Sequence, residues 1–405
     1  MLDLINKKFA CDCGKTHDLD TEILTAKGDI DKIYLMLKKY YAVSRIAIVY
    51  DVAVSEWAQK VLENLVENSF DISEICYEKL TYARKADAEK LINLPENVRF
   101  IIGIGSGSIA TVVRYASMVR GNDYGLVATA PSTDSYLDNY AVFGDKVEAC
   151  RSPKFVIADE TVYQKSKEYL TASGIGAVFS NFLTIFMLKY RKAIFKEKYC
   201  NTVVSDMEKL LLGFVKEYET SNNQSKFLME TLIKLSLAKN YLSVNVNSGE
   251  ITAYLLSASK ESRFYGENLF LASYLVVSLY QSYLSGNFDD TLIPADYVKG
   301  LKLLSYQLNE EYNYSKEKFR GYKETNVTAV GYLIKEYRGD FIKFLQIDTD
   351  EWAKAFRRCY YDAGFWLRGY LSASDLLKVL SLSGLIAKDS LLGYVKETGF
   401  MEDML

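Results

Sequence analysis

A run of apolar residues that ends in three alternating glycines constrains the fold of this chain more than any other feature. Residues 98–104 predict a buried strand, and residues 108–120 predict a helix. Between them we expect a tight turn at Gly103, Gly105 and Gly107. Glycine lets the backbone approach a ligand closely and reach positive φ, and the N–H groups at the helix start favour an anion such as a pyrophosphate. A bare G-x-G-x-G pattern is equally compatible with a simple strand-to-helix turn.

Strand and helix patterns alternate along the chain on both sides of this turn. The further strands are expected at residues 45–51, 71–77, 126–129 and 154–159, and the helices at 29–42, 55–68 and 84–93. Alternation of this kind is typical of a doubly wound α/β fold, in which helices cover both faces of a parallel sheet.

From about residue 165 the strand patterns stop and helical patterns continue. The predicted helices cover residues 170–187, 205–220, 224–241, 250–258, 267–285, 297–313, 327–345, 350–358 and 372–380. We therefore expect an α/β domain at residues 1–168 and an all-helical domain at residues 169–405. The cleft between two domains is the default place for a ligand.

Polar residues follow two of the predicted strands. Asp51 ends the strand 45–51, at the edge where parallel sheets bind ligands, and could accept a hydrogen bond from a ribose hydroxyl or cap the next helix. Thr129 and Ser132 offer hydroxyls to a cofactor, and Asp134 offers a carboxylate to a substrate. The same residues are compatible with an ordinary Pro-Ser-Thr-Asp turn.

Charge and hydropathy exclude two classes of partner. The 405 residues carry a formal net charge of −3, which gives no indication of nucleic-acid binding. No apolar run is long enough to span a bilayer, and no signal peptide is recognisable. We expect a cytoplasmic protein that does not enter a membrane and whose cysteines are thiols.

The chain has six cysteines and a single histidine, His17. Cys11, Cys13 and His17 form a C-x-C-x3-H pattern that offers three of the four ligands of a structural zinc site, and no second Cys/His pair follows. The alternative, which we favour at this point, is a short hairpin that turns at Gly14.

Several segments are identified together as those of a known family. They are Cys-Asp-Cys-Gly-Lys-Thr-His at 11–17, Gly-Ile-Gly-Ser-Gly-Ser-Ile at 103–109, Thr-Ala-Pro-Ser-Thr-Asp-Ser-Tyr at 129–136, Val-Ile-Ala-Asp at 156–159, Ser-Gly-Ile-Gly at 173–176 and Arg-Gly-Tyr at 368–370. In this order they resemble the glycerol-1-phosphate dehydrogenase branch of the iron-containing alcohol dehydrogenase and dehydroquinate synthase superfamily. The resemblance implies a doubly wound domain followed by a helical domain.

The resemblance also implies a divalent metal, held by one Asp and two His, that polarises the substrate oxygen. Ala177 stands where the family has the Asp, and Asn268 and about Pro294 stand where it has the histidines. Glu267 and Asp296 are the nearby carboxylates that could substitute. Because alanine has no ligand atom and an amide is a poor ligand for zinc or iron, we expect no divalent metal at this position.

The activity that the resemblance implies is NAD- or NADP-dependent reduction of dihydroxyacetone phosphate or a related polyol phosphate. Two alternatives stay open: a catalytically silent homologue that binds a nucleotide or sugar phosphate, and a metal-free lyase or cyclase on the same scaffold. A homodimer is also among the expectations. Asp134 and Arg263 are predicted to bind substrate. The predicted cofactor contacts are Asp51, Gly103, Gly105, Ser106, Gly107, Ser108, Thr129 and Ser132.

Overall fold

The structure, a computed structural model, describes residues 8–11, 13–41, 45–143, 146–195, 198–242 and 266. The chain divides into two compact units. Unit 1 comprises residues 1–178, 200–245 and 261–267, and unit 2 comprises residues 179–199, 246–260 and 268–405. The helices predicted beyond residue 242 lie outside the described residues, and the domain division after residue 168 stays a prediction.

The elements follow the predicted alternation closely. The strands are β1 (Phe9–Ala10), β2 (Thr16–His17), β3 (Glu22–Leu24), β4 (Arg45–Asp51), β5 (Ile72–Tyr77), β6 (Val98–Gly105), β7 (Asp123–Ala128), β8 (Tyr140–Phe143), β9 (Lys146–Ala149) and β10 (Phe155–Ile157). The helices are α1 (Ile33–Tyr41), α2 (Ser55–Glu67), α3 (Lys85–Ile92), α4 (Gly107–Arg120), α5 (Glu160–Tyr163), α6 (Glu168–Phe195), α7 (Asn201–Glu217) and α8 (Gln224–Leu242). The sequence did not predict the short strands β3, β8 and β9.

Six strands form one parallel sheet in the order β3-β10-β7-β6-β4-β5. The chain runs from β4 outward to the edge strand β5 and then returns past β4 to β6. From β6 it moves on to β7, which lies on the side of β6 away from β4. The connections that leave β4 and β6 therefore diverge, and the carboxyl ends of these two strands flank a topological switch point. The predicted doubly wound sheet is confirmed.

Both faces of the sheet are covered, as a parallel sheet requires. On one face, Ile46 and Ile48 of β4 and Ile102 of β6 pack in a single core with residues of α1 and α2. On the other face, Gly103 of β6 lies against α4. Full burial of each large aliphatic side chain contributes about 1.5–3 kcal/mol to stability. This core holds the strand ends of the switch point in place.

Two antiparallel hairpins flank the sheet. β1 pairs with β2 through Phe9 and His17, and β8 pairs with β9. The turn between β1 and β2 contains Gly14, whose φ of 82° is the left-handed conformation that glycine tolerates. The hairpin predicted at Gly14 is therefore confirmed, and it is called the N-terminal hairpin below.

Three longer helices follow the sheet. α6 has 28 residues, α7 has 17 and α8 has 19. α8 is buried on most of its circumference, and its buried residues include Lys239 as well as Leu235 and Leu242. None of the helices in the described part of the chain combines the length and the apolarity needed to cross a membrane.

Candidate functional site

The switch point brings the ends of β4 and β6 side by side. Tyr50 pairs with Ile104, so Asp51 and Gly105 follow as the last residues of adjacent parallel strands. The carboxylate of Asp51 accepts hydrogen bonds from the N–H of Ala53 at 2.8 Å and from the N–H of Leu80 at 2.5 Å. The capping role considered for Asp51 is thus present, at the short 3-10 turn that precedes α2. Each carboxylate oxygen has a second acceptor position, and the ribose contact stays a prediction.

The glycine turn allows α4 to lie directly on the end of β6. A Cβ on Gly105 would come within 2.7 Å of the side chain of Ile109, and a Cβ on Gly103 within 3.2 Å of the side chains of Ile109 and Val113. These two glycines therefore serve close contact between strand and helix. The expectation that the turn uses positive φ is wrong: among the described glycines, positive φ occurs at Gly14, Gly28 and Gly121.

The N-terminus of α4 faces the loop after β7. Ser106 is the N-cap residue, and its side chain makes no capping hydrogen bond. Ser108 instead donates its hydroxyl to the carbonyl of Thr81 at 2.8 Å, which fixes the loop after β5 to the helix start. A Cβ on Gly107 would lie 3.6 Å from Thr133, an ordinary contact distance. The helix start is thus the one part of the turn with room for an added group.

The loop of residues 129–136, called the polar loop below, is buried and tied to the glycine turn. The N–H of Thr129 donates to the carbonyl of Gly105 at 3.2 Å. The hydroxyls of Thr133 and Ser135 are 2.7 Å apart. These bonds place the predicted cofactor residue Thr129 beside the strand end that carries the glycines.

Helix α6 supports the polar loop from its other side. Ser173 donates its hydroxyl to the carbonyl of Ser132 at 2.9 Å, and both side chains are buried. A Cβ on Gly174 would lie 1.9 Å from the carbonyl oxygen of Pro131. The Ser-Gly pair at 173–174 therefore has a physical reason here, since only glycine lets the backbone of α6 come this close to the loop.

A buried ion-pair cluster lies at the end of the polar loop. The ammonium of Lys239 is 3.0 Å from a carboxylate oxygen of Asp134 and 3.7 Å from one of Asp138, and all three side chains are 2% exposed. Ser236 donates to Asp138 at 3.3 Å. Burial raises the pKa of Asp138 above its ordinary value, while the positive charges of Lys239 and Arg114 act in the opposite direction. The predicted substrate residue Asp134 is therefore held by a lysine of α8.

Sequence reasoning missed two residues that build this region, Ser236 and Lys239, and it named Ser173 only as part of a family segment. The signal for Lys239 was a cation on the buried face of a largely apolar helix, between Ala238 and Leu242. Such a lysine needs a buried acidic partner. Nothing in the sequence alone indicates that the partner is Asp134, because the pairing depends on how α8 packs against the loop.

Of the positions predicted for the family metal, the structure describes Ala177. Ala177, which we predict to stand where the family has its aspartate, is fully buried in α6, and its methyl group offers no ligand atom. The other residues named for the metal position lie outside the described residues; they are Asn268, Pro294, Glu267 and Asp296. The predicted substrate residue Arg263 also lies outside them. In the part of the chain that the structure describes, the group of side chains able to hold a metal is elsewhere, at the N-terminal hairpin.

Comparison with solved structures shows the fold. The chain aligns with a probable glycerol dehydrogenase from Sinorhizobium meliloti at a TM-score of 0.64 and 12% identity, over 91% of this chain and 97% of that one. It aligns with an archaeal halo-thermophilic Red Sea brine pool alcohol dehydrogenase at a TM-score of 0.64 and 14% identity, over 93% and 100% of the two chains.

Sequence comparison supports the same family resemblance. The sequence model of iron-containing alcohol dehydrogenases matches residues 25–166. Two relatives are each named glycerol-1-phosphate dehydrogenase [NAD(P)+]. That of Bacillus licheniformis is 23% identical over 47% of this chain and 50% of its own length, and that of Pyrococcus furiosus is 26% identical over 40% and 48%. The chain thus spans about half the length of the curated relatives it matches. These matches confirm the resemblance to the iron-containing alcohol dehydrogenase superfamily, and the names of the relatives agree with its glycerol-1-phosphate dehydrogenase branch.

Proposed function

We propose that unit 1 binds NAD or NADP at the switch point between β4 and β6. The observation that carries the proposal is that divergent connections leave these two strands and that the N-terminus of α4 opens at the same edge. Ligands of doubly wound proteins bind at such points, and a helix N-terminus favours a pyrophosphate. The glycine-rich segment of the family therefore coincides with the position at which the topology alone predicts a ligand.

Different residues around the switch point would contact different parts of the dinucleotide. Gly103 and Gly105 bring α4 close to the sheet, and the backbone at Ser106, Gly107 and Ser108 binds the pyrophosphate. Of the three glycines only Gly107 has room for an added group, which supports it as the position at which the backbone would approach the phosphates. On one side Asp51 accepts from the adenosine ribose, and on the other Thr129 and Ser132 contact the nicotinamide half.

The activity that we propose is reduction of dihydroxyacetone phosphate, or a related polyol phosphate, to the corresponding alcohol. The names of the sequence relatives support this substrate class. Bound NADH or NADPH would supply the hydride. Asp134 and Arg263 would orient the substrate, with the carboxylate of Asp134 held in place by Lys239. We assign no step to the family metal, because Ala177 supplies no ligand.

A second candidate is a homologue that binds the dinucleotide without turnover. One observation favours it, the buried methyl group of Ala177 where a metal ligand would be needed. Loss of the ligand removes the Lewis acid that stabilises charge on the substrate oxygen. The switch point, in contrast, keeps the features that bind a dinucleotide.

The test compares turnover with binding. NADH and NADPH oxidation is followed with dihydroxyacetone phosphate as substrate, and binding of both dinucleotides is measured on the same preparation. We expect oxidation that requires the phosphate substrate and is reduced in the Gly107→Asp variant. Binding without oxidation would support the second candidate, and absence of binding to either dinucleotide would contradict both.

A further inference from the structure

The N-terminal hairpin brings three metal-ligating side chains together. The N–H of Cys11 donates to the carbonyl of Lys15 at 3.0 Å, and the N–H of Gly14 donates to the carbonyl of Cys11 at 3.0 Å. These bonds close the turn between β1 and β2. As a result the Sγ atom of Cys13 is 3.4 Å from Nε2 of His17.

Helix α7 delivers a fourth side chain to the same point. Cys200 is the N-cap residue of α7 and is buried. Its Sγ atom lies 3.3 Å from Sγ of Cys11, across 189 positions of sequence. One ligand atom from each of the four residues lies within 4.8 Å of the other three. We call this group the Cys/His cluster; its members are Cys11, Cys13, His17 and Cys200.

The geometry points to a closed tetrahedral metal site, and we propose that the Cys/His cluster binds one structural zinc ion. In tetrahedral zinc sites the metal–sulfur distance is about 2.3 Å, which places two sulfur ligands about 3.8 Å apart. The observed distances are 3.3 Å between the two sulfur atoms and 3.4 Å between sulfur and nitrogen. Small side-chain rotations would bring these atoms to the spacing of a tetrahedral zinc site. Three cysteines with one histidine is a ligand set of structural zinc sites, and four protein ligands leave no open position for substrate.

Aromatic side chains enclose the histidine of the cluster. The ring centroid of His17 lies 5.1 Å from that of Phe9 and 5.1 Å from that of Tyr241, and the histidine is 3% exposed. This enclosure fixes the ring with Nε2 towards Cys13. Orientation of a ligand by its surroundings is a general requirement of a metal site.

Zinc at this place would fasten the N-terminal hairpin to the start of α7. A cross-link between residues 189 positions apart lowers the conformational entropy of the unfolded chain, and zinc binding is coupled to folding. On binding, the three thiols release their protons to solvent and coordinate as thiolates. The site shares no residue with the family's metal position at Ala177, Asn268 and about Pro294. Zinc in the purified protein is therefore expected even if the family's catalytic metal is absent.

The experiment measures metal content and coordination in the full-length protein. Protein purified in the presence of reductant and passed over a desalting column with EDTA is analysed for zinc by mass spectrometry. We expect one zinc per chain in the wild type, the same value in Cys76→Ser, and a loss of at least tenfold in Cys13→Ser. Cys13 and Cys76 are both exposed thiols, so the two variants are a matched pair.

Cobalt reports on the ligands directly and does not depend on how the variants fold. Wild-type protein stripped of zinc and titrated with Co²⁺ should show thiolate-to-cobalt charge transfer and the intense visible bands of a tetrahedral site at one equivalent. A weak octahedral spectrum, or equal zinc content in Cys13→Ser, would mean an adventitious ion only. If non-reducing peptide mapping of metal-free protein finds a Cys11–Cys200 disulfide, these two cysteines form that bond instead of binding zinc. Any of these results overturns the proposal, whereas dinucleotide binding is unaffected by which of them is found.

Discussion

The glycine turn and the polar loop lie side by side, yet the chain holds them by opposite means. In the turn the contacts between strand end and helix are local: Gly105 meets Ile109, and the hydroxyl of Thr111 donates to the carbonyl of Gly107 at 2.8 Å. The polar loop is held from far along the sequence. Ser173 bonds to it at a separation of 41 residues, and Ser236 accepts from the N–H of Leu137, the residue that follows the loop, at a separation of 99. A motif built from neighbouring residues can therefore be recognised from sequence. The distant residues that hold a loop in place cannot.

The Cys/His cluster is a more extreme case of the second kind. Three of its ligands lie within seven residues of sequence, and the fourth lies 189 residues from Cys11. The sequence alone offers three ligands at 11–17 and gives no indication that Cys200 lies beside them. An incomplete local motif is thus weak evidence against a site.

The largest effect is expected from removing a remote support of the polar loop. Lys239→Met leaves the carboxylates of Asp134 and Asp138 buried without their shared cation. Breaking a buried ion pair in this way costs about 3–5 kcal/mol. Urea denaturation should show a loss of this size in the free energy of unfolding. Lys226→Met, which removes a more exposed ion pair with Glu160, is the control and should cost below about 1 kcal/mol. Similar losses in both variants would show that the buried cluster does not support the loop.

A smaller effect is expected from the local contact in the glycine turn. Gly105→Ala places a Cβ 2.7 Å from Ile109, and overpacking of this kind costs about 1–3 kcal/mol. Gly213→Ala is the matched control in α7, where a Cβ would have no neighbour within 4 Å. There alanine should stabilise the helix by about 0.5–1 kcal/mol. Opposite signs in the two unfolding free energies are predicted, and equal signs would contradict the close strand-to-helix contact.

The smallest effect depends on pH and concerns Asp159, which follows β10. Burial alone would raise the pKa of Asp159, but hydrogen bonds from the N–H of Ile30 and from Thr161 outweigh it and lower the pKa. Because the folded-state pKa is below the unfolded value of about 3.9, the stabilisation is complete above that pH and is lost as the pH falls through the folded-state pKa. Thermal melts between pH 3 and 6 should show the wild type more stable than Asp159→Asn at pH 6, with a gap that narrows below about pH 4. A stability difference that stays the same from pH 3 to pH 6 would show that the charge of the Asp159 carboxylate does not stabilise the fold.

The sequence predicted the sheet, its helices and the position of the glycine turn because these depend on apolar periodicity and on contiguous residues. It did not predict why Gly105 must be glycine, since the reason is contact with Ile109 and not a positive φ. It could not pair Asp134 with Lys239 or Cys11 with Cys200, because those pairs exist only after α7 and α8 have packed. Arg263 lies outside the described residues, so its role as a substrate ligand stays a prediction.

The central claim, that the glycine turn binds a dinucleotide, is tested most directly by calorimetric titration of NADH and NADPH into three proteins. Gly107 is the suitable position because a side chain there fits beside Thr133, whereas one at Gly105 strikes Ile109. Gly107→Asp places a negative charge where the pyrophosphate is expected, and Gly213→Asp adds the same charge in α7. We predict one binding site in the wild type and in Gly213→Asp, and at least about tenfold weaker binding in Gly107→Asp, because juxtaposed like charges cost several kcal/mol. Equal affinity in all three proteins, or no binding of either dinucleotide to the wild type, would contradict the claim.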